Sequence, residues 1–256
     1  MLRNMRQWAV AAIGLLVVSG SAGAASPKVA RMVFLNTKPG AKATMEAAIR
    51  RQMDWRREQQ DDWRWLTWEY VSGDAGRYAV ATFGHAWQDY DQSKVSPWIE
   101  EVDAGALAAL SATPPQVQYY DHAEEVSAPG VAQDTPTLAE IAVFQLHFGK
   151  TASFYEAMAQ FHAAFEKAES PGRYEWFELL NGGEGPQFML FLPRRNWAAF
   201  DTPGELLMGA LEKSLGKRRA KQITAQFSAA VKSYQRHAVR LRPDLSKLPA
   251  PVNPNP

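Results

Sequence analysis

The chain has 256 residues, with 28 Lys or Arg against 27 Asp or Glu, a formal net charge of +1 with His neutral, and no Cys. This near-balance gives no long-range attraction for nucleic acid or an anionic membrane surface. The lack of thiols excludes disulfide staples, thiol catalysis and cysteine-ligated metals, so the fold must rest on a buried core.

Met1 to Gln7 carries Arg3 and Arg6 and no acid, Trp8 to Val18 is an apolar run, and Ala22-Gly23-Ala24 supplies the small-residue cleavage pattern. This reads as a signal peptide over residues 1–24 and a periplasmic or secreted product. The apolar run is too short to span a bilayer, which takes about 20 residues. No stable membrane insertion is expected once the leader is removed.

Beyond the leader the sequence repeats itself at a shift of 109 or 110. Val33-Phe34 falls on Val143-Phe144, Trp68-Glu69 on Phe177-Glu178, Gly73 on Gly182, Trp87 on Trp197 and Asp91 on Asp201. That period is too long for a solenoid unit and suits a duplicated small domain. In the first copy, Ala30 to Thr37 reads as a strand, broken by Pro39-Gly40. Ala43 to Gln59 reads as a helix with Met45, Ile49, Gln52, Met53 and Arg56 on adjacent turns, closed by Asp61-Asp62. Trp63 to Val71 and Tyr78 to Phe83 form a hairpin, Pro97 to Leu110 a second helix, and Gln116 to Ala123 the last strand. Asp91 and Asp201, each four residues after a Trp, read as caps of the second helix.

The second copy follows the same order. Glu140 to Phe148 is a strand, and Ser153 to Ala168 a helix with Phe154, Met158, Phe161 and Phe165 as its stripe. Tyr174 to Leu180 and Phe188 to Leu192 are hairpin strands. Pro203 to Leu215 and Ala220 to Ser233 are helices, and Tyr234 to Leu241 is the closing strand. The expected domains are residues 28–125 and 137–242, joined by a linker over 126–136 and followed by a Pro-rich tail over 243–256. The fold class is α+β: two βαββαβ repeats of ferredoxin-like order. Exposed sheet aromatics would be costly in water, so the two antiparallel sheets are expected to face each other.

On this element order, and on Phe34 to Gly40 and Phe144 to Lys150, the chain resembles the dimeric α+β barrel superfamily in its fused, tandem form. The resemblance implies a range of activities: small cofactor-free monooxygenases, haem proteins of the chlorite-dismutase and dye-peroxidase type, isomerases and stress proteins. The haem branch implies a His on a helix of the second half. His162 lies beside the core stripe of its helix and residues 203–233 hold no His, so no cofactor is expected and haem is set aside.

Strand alternation places Gln145 and His147 toward the interior between the sheets, with Val33, Leu35 and Thr37 as their counterparts. Trp65, Thr67 and Glu69 share one hairpin face, and Tyr174, Trp176 and Glu178 the other. Together they suggest an aromatic cleft, with Trp65, Thr67, Gln145, His147, Tyr174 and Trp176 as ligand contacts. His147, Glu69 and Glu178 are the catalytic candidates, His147 as base and a Glu to orient it. The alternatives are a shared structural hydrogen bond for the two Glu, a solvent-facing His147 and tryptophans that are solid core. No metal-binding spacing exists among the five His, and Asn181-Gly182-Gly183 joins strands instead of opening a helix. Three functions stay open: an exported protein that binds a small apolar or aromatic molecule, a monooxygenase or isomerase, and a non-catalytic interaction domain. A homodimer is compatible with each.

Overall fold

The computed structural model describes residues 28–91, 104–128, 136–167, 172–201 and 204–248. The leader, the first part of the second helix (97–103), most of the linker (129–135) and the end of the tail (249–256) lie outside the described residues. The elements in chain order are β1 (Val29–Asn36), α1 (Lys42–Glu58), β2 (Leu66–Tyr70), β3 (Arg77–His85), α2 (Ala104–Leu110), β4 (Gln116–His122), β5 (Leu138–Leu146), α3 (Thr151–Lys167), β6 (Glu175–Asn181), β7 (Gln187–Arg194), α4 (Gly204–Leu215), α5 (Lys217–Ala230) and β8 (Val231–Leu241). Short 3₁₀ turns at Trp87–Asp91 and Trp197–Asp201 follow β3 and β7. Asp91 and Asp201 therefore end these turns.

The eight strands close into one antiparallel barrel in the order β1-β3-β2-β8-β5-β7-β6-β4. Within each half the order is the same, β4-β1-β3-β2 and β8-β5-β7-β6. The halves meet at two seams, β2 with β8 and β4 with β6. Closure removes the free sheet edges that an isolated half would leave. The helices cover the outside of the barrel.

Two kinds of core result. Inside the barrel, Met32, Phe34, Trp68, Tyr70, Ala79, Tyr120, Ile141, Phe177, Met189, Val239 and Leu241 form one cluster drawn from all eight strands. Outside, Val33, Leu35, Tyr78 and Val80 meet Met45, Ile49 and Met53 of α1. In the second half, Leu146, Trp176 and Phe188 meet Phe154 and Met158 of α3. Fully burying each such apolar side chain is worth roughly 1.5–3 kcal/mol before entropy is counted. The helix stripe expected on α1 is the buried one, Met45, Ile49, Gln52, Met53 and Arg56.

The expected orientation of the sheet faces needs correction. The helices α1 and α3 begin at residues 42 and 151, a shift of 109, and Gly40 and Gly149 share positive φ just before them. The shift becomes 110 only after the β6–β7 turn: β3 and β7 begin at 77 and 187. Aligning β1 at 110 slips the register by one, and a one-residue slip sends every side chain to the opposite face. Val33 and Leu35 accordingly face α1, while Phe34 falls on Val143 and both line the barrel. The hairpins align at 109 without a slip, yet their faces are also the reverse of those expected: Trp68 and Phe177 point inward, Trp65 and Trp176 outward under the helices.

Candidate functional site

The residues expected to form a cleft do not meet. Trp65 is fully buried under α1, where its Nε1 donates to Asp61 (2.8 Å) and the Arg56 guanidinium lies 3.7 Å from its ring centroid. Thr67 donates to the carbonyl of Leu245 at 2.5 Å and is buried. Glu69 pairs with Lys42 (2.5 Å) and Arg242 (3.1 Å) on the outer face. Trp176 lies under α3, and Tyr174 shares a hydrogen bond with His162 Nδ1 at 2.8 Å. Burial and the nearby Glu166 push the Tyr174 hydroxyl up to about 12. Glu178 faces Asp121 across the β4–β6 seam. Gln145 donates to the carbonyl of Pro186 at 3.1 Å, near the end of β5. His147 follows β5 and is exposed in the turn before α3, so it does not point into the barrel.

A different set converges on the outer face of the first half. Arg31, in the middle of β1, is 2% exposed and faces outward with Val33. It is paired with Thr82 on β3 and with Tyr119 on β4, so these two side chains flank it on the same face. The ladder shifts between Val29 and Arg31: His85 opposes Val29, and Thr82 opposes Arg31. The extra residue lies on β3, where Gly84 has φ +81°. Such a bulge turns the following side chain to the face it would otherwise leave. The consequence is that Thr82 Oγ1 and His85 Nε2 lie 2.7 Å apart.

Aromatic rings surround this group. Trp63 stacks on His85 at 3.4 Å between centroids, and Tyr90 meets Trp63 edge-on at 5.0 Å. Trp87 lies against Tyr119 (5.2 Å), and Tyr90 against Tyr119 (5.6 Å). Trp63, His85, Tyr90 and Tyr119 are all half-buried, and Trp87 is 42% exposed. The cluster is therefore open to solvent at its edge and dry at Arg31. Burial holds the His85 imidazole below its ordinary range despite the nearby Asp89, Asp61 and Asp62. Burial likewise pushes the Tyr90 hydroxyl up, against the opposing pull of Arg31. The Tyr90 hydroxyl oxygen is buried without a hydrogen-bond partner among the described residues. A neutral imidazole, a phenol hydroxyl held in its protonated form and a buried cation beside an aromatic wall can bind a flat ring and stabilise negative charge on it.

The second half carries a different arrangement at the corresponding positions. The 109 shift places Glu140 where Arg31 stands, and Glu140 is 3% exposed. Arg194 (2.9 Å) and Arg236 (2.5 Å) clamp it. Phe200 takes the place of Tyr90 and lies 5.5 Å from the Arg194 guanidinium. Register places Ala238 opposite Glu140, as Tyr119 is opposite Arg31. The ladder between β5 and β7 has no bulge. An ion-pair clamp thus fills the position that is aromatic in the first half.

Sequence reasoning counted His85 among the histidines and gave it no role. The available signal was Thr82-Phe83-Gly84-His85, a Gly inside a strand end, which marks a bulge. Arg31 was legible as a charge in an otherwise apolar strand, the kind of buried charge that needs an explanation. Among the described residues, no group of three or more His, Asp or Glu could hold a metal ion, and no helix is long and apolar enough to cross a membrane.

No family model matches the chain, and no curated protein matches it. Solved structures do. An anthrone oxidase-like protein superposes with a TM-score of 0.57 at 9% identity, over 85% of this chain and 92% of that one. A protein from Lactobacillus acidophilus NCFM assigned to the monooxygenases gives 0.56 at 9% identity, over 87% and 96%. A mutant chlorite dismutase from Candidatus Nitrospira defluvii gives 0.53 at 9% identity, over 87% and 93%.

The last of these corrects the expectation of no cofactor. Chlorite dismutases are haem proteins, so haem belongs to this fold and cannot be set aside on sequence grounds. The described side chains, as they stand, do not form a haem pocket. His85 is held by Trp63 and Thr82, His162 by Tyr174, and His122 is stacked on Phe177. His237 lies against Tyr70. The space between α3, α5 and the second sheet is filled by Phe144, Phe154, Trp176 and Phe227. The fold, a closed antiparallel barrel of eight strands with its helices outside, is that of the dimeric α+β barrel proteins.

Proposed function

We propose that the first half binds a planar, weakly acidic aromatic molecule against Arg31 and supports its oxygenation. The observation that carries this reading is a guanidinium 2% exposed, flanked by Thr82 and Tyr119 on the same sheet face and in electrostatic reach of Tyr90, beside a half-open aromatic cluster. The names of the structural relatives, an anthrone oxidase-like protein and a monooxygenase, favour chemistry on such a substrate. Anthrone itself is a suitable probe. His85, neutral because burial disfavours its charged form, takes the proton from the ring carbon. The resulting enolate oxygen is stabilised by the positive charge of Arg31. Reaction of this anion with dioxygen gives a hydroperoxide that loses water, so anthrone and O₂ yield anthraquinone and one H₂O. Export through a leader ending at Ala24, and descent of both halves from one ferredoxin-like repeat, belong to the same reading.

The test is tryptophan-fluorescence titration of the full chain with anthrone, followed by anthraquinone formation and O₂ uptake. Arg31→Met should abolish saturable binding while the circular dichroism stays as in the parent. His85→Gln should leave binding within a few-fold and slow turnover by about 10²-fold or more. Binding without any turnover would turn the conclusion to a carrier. Equal binding by Arg31→Met would remove the site altogether. An absorbance scan of the purified protein near the Soret band tests haem independently.

A further inference from the structure

A second cleft lies at the far end of β1, five residues beyond Arg31 and so about 17 Å along the strand. It opens between the β2–β3 turn and the segment leading into β4, has a volume of about 340 Å³, and is lined by Asn36, Thr37, Asp74, Arg77, Thr113 and Gln116. Asn36 and Arg77 are cross-strand partners, as are Phe34 and Gln116. Phe34 is a barrel-interior residue, so alternation puts all four on the interior side. The cleft is the mouth of the barrel, on the opposite face of the sheet from Arg31.

Arg77 dominates its chemistry. The guanidinium lies 4.5 Å from the centroid of Phe34 and 4.9 Å from that of Tyr70, and these two buried rings fix its plane. Its Nη1 donates to Asp74 Oδ2 at 2.9 Å. Its Nε is buried without a hydrogen-bond partner among the described residues, and so is Thr37 Oγ1 in the same cleft. Buried polar atoms are nearly always satisfied, so two orphans lining one cleft call for a bound group that satisfies both. The Nε–Nη2 edge of an arginine is a fork that matches the two oxygens of a carboxylate. The Asp74 pair does not block it, since that pair uses Nη1 and the Asp74 side chain is half exposed. The rest of the lining is neutral and hydrogen-bonding: Asn36 Nδ2 donates to Thr113 Oγ1 at 2.9 Å, and Gln116 lies beside them.

We infer that the barrel mouth binds a small hydroxylated carboxylate, its carboxylate bidentate on Nε and Nη2 of Arg77 and its hydroxyls on Thr37, Asn36 and Gln116. The volume lies at the lower end for small-molecule sites and suits such a compound better than a polycyclic one. The site is separate from the aromatic cluster, which lies on the other face of the sheet.

Calorimetric titration of the full chain with gluconate and with L-malate tests this, with acetate and glucose as single-feature probes. One molecule per chain should bind, and Arg77→Lys, which keeps the charge and loses the fork, should weaken binding about tenfold or more. Thr37→Val, which conserves shape, should weaken it several-fold, and Asp74→Asn should tighten it by relieving like-charge repulsion. Arg31→Met should leave it unchanged, which separates this site from the proposed oxygenation site. Failure of both hydroxy acids to bind would overturn the inference, as would full affinity in Arg77→Lys and Thr37→Val. Acetate binding as tightly as gluconate would reduce the cleft to a simple anion site and overturn the ligand class.

Discussion

At the scale of single residues, the buried charges decide most. Asp61 shows how much one carboxylate can organise. It accepts from Arg56 Nη1 (2.7 Å), Trp65 Nε1 (2.8 Å) and the Trp63 backbone N–H (2.8 Å), while Arg56 and Asp61 side chains are 1% and 2% exposed. Removing one partner of a buried ion pair leaves the other uncompensated and typically costs about 3–5 kcal/mol. Asp61→Ala should therefore shift the urea midpoint by that equivalent with an unchanged slope. It should also lower ligand affinity, because Trp63 stacks on His85 and loses its anchor. A shift of less than about 1 kcal/mol would show that the network is dispensable. From sequence alone, Asp61 was readable only as a helix stop after α1. Its partners Arg56 and Trp65 come from a helix and a strand end, and no local pattern reports that they converge. Trp65 was legible as a buried aromatic, but its face depends on which side of the sheet the helices cover, and no local pattern in the hairpin reports that.

At the scale of elements, the bulge in β3 and the β4–β6 seam are where geometry departs from regular alternation. Gly84 carries the φ of +81° that places His85 beside Thr82. A side chain there meets open space but pays the left-handed backbone cost of roughly 1–2 kcal/mol. Gly84→Ala should lose that much stability in denaturant titration, and His85 should lose the burial that lowers its pKa. An NMR titration of His85 returning toward an unperturbed value reads the second effect. A variant as stable as the parent with an unmoved His85 would mean that the bulge does not need its glycine.

The seam opposes Asp121 to Glu178, two like charges directly across from each other. Burial first, and then neighbouring acids, raise both carboxyl groups above their ordinary range. The folded state thus holds protons more tightly than the unfolded chain, so stability falls as pH rises through that interval. Glu178→Gln should stabilise the protein at pH 7 by about 0.2–1 kcal/mol, with the gain vanishing once pH drops below the ordinary carboxylate value. Thermal melts at pH 4 and pH 7 measure it, and a pH-independent gain would contradict the electrostatic cause. Most element types and their order could be read from apolar spacing. The bulge and the seam could not, because one depends on a single backbone torsion and the other on strands more than 50 residues apart.

At the scale of the molecule, each half leaves one sheet face that only another half can cover. Met32, Phe34, Trp68, Tyr70 and Tyr120 of the first half meet Ile141, Phe177, Met189, Val239 and Leu241 of the second inside the barrel. The need for one sheet face to meet another was legible, because aromatic residues load the strands of both halves. Which face is buried was not, since it turns on a shift of 109 against 110. Both seams join corresponding strands: β2 meets β8, and β6 meets β4. Either half alone could therefore close a barrel with a second copy of itself, and the seam charges say which does so better. In the native chain Glu69 faces Arg240 at one seam and Asp121 faces Glu178 at the other. Glu69 corresponds to Glu178 by the shift of 109. Asp121 corresponds to Arg240 because each pairs with the equivalent residue of its first strand, Val29 or Leu138. A homodimer of the first half would place Glu69 against Asp121 twice, and Glu69 would also lose Arg242. A homodimer of the second half would place Glu178 against Arg240 twice. With about 0.2–1 kcal/mol per cross-strand charge pair and a change of sign at two seams, the second-half fragment should dimerise at least several-fold more tightly. Sedimentation of fragments 28–128 and 136–248 measures this directly. Reversal of the order would show that apolar packing, and not the seam charges, sets the pairing, and two stable monomers would show that neither half needs a partner.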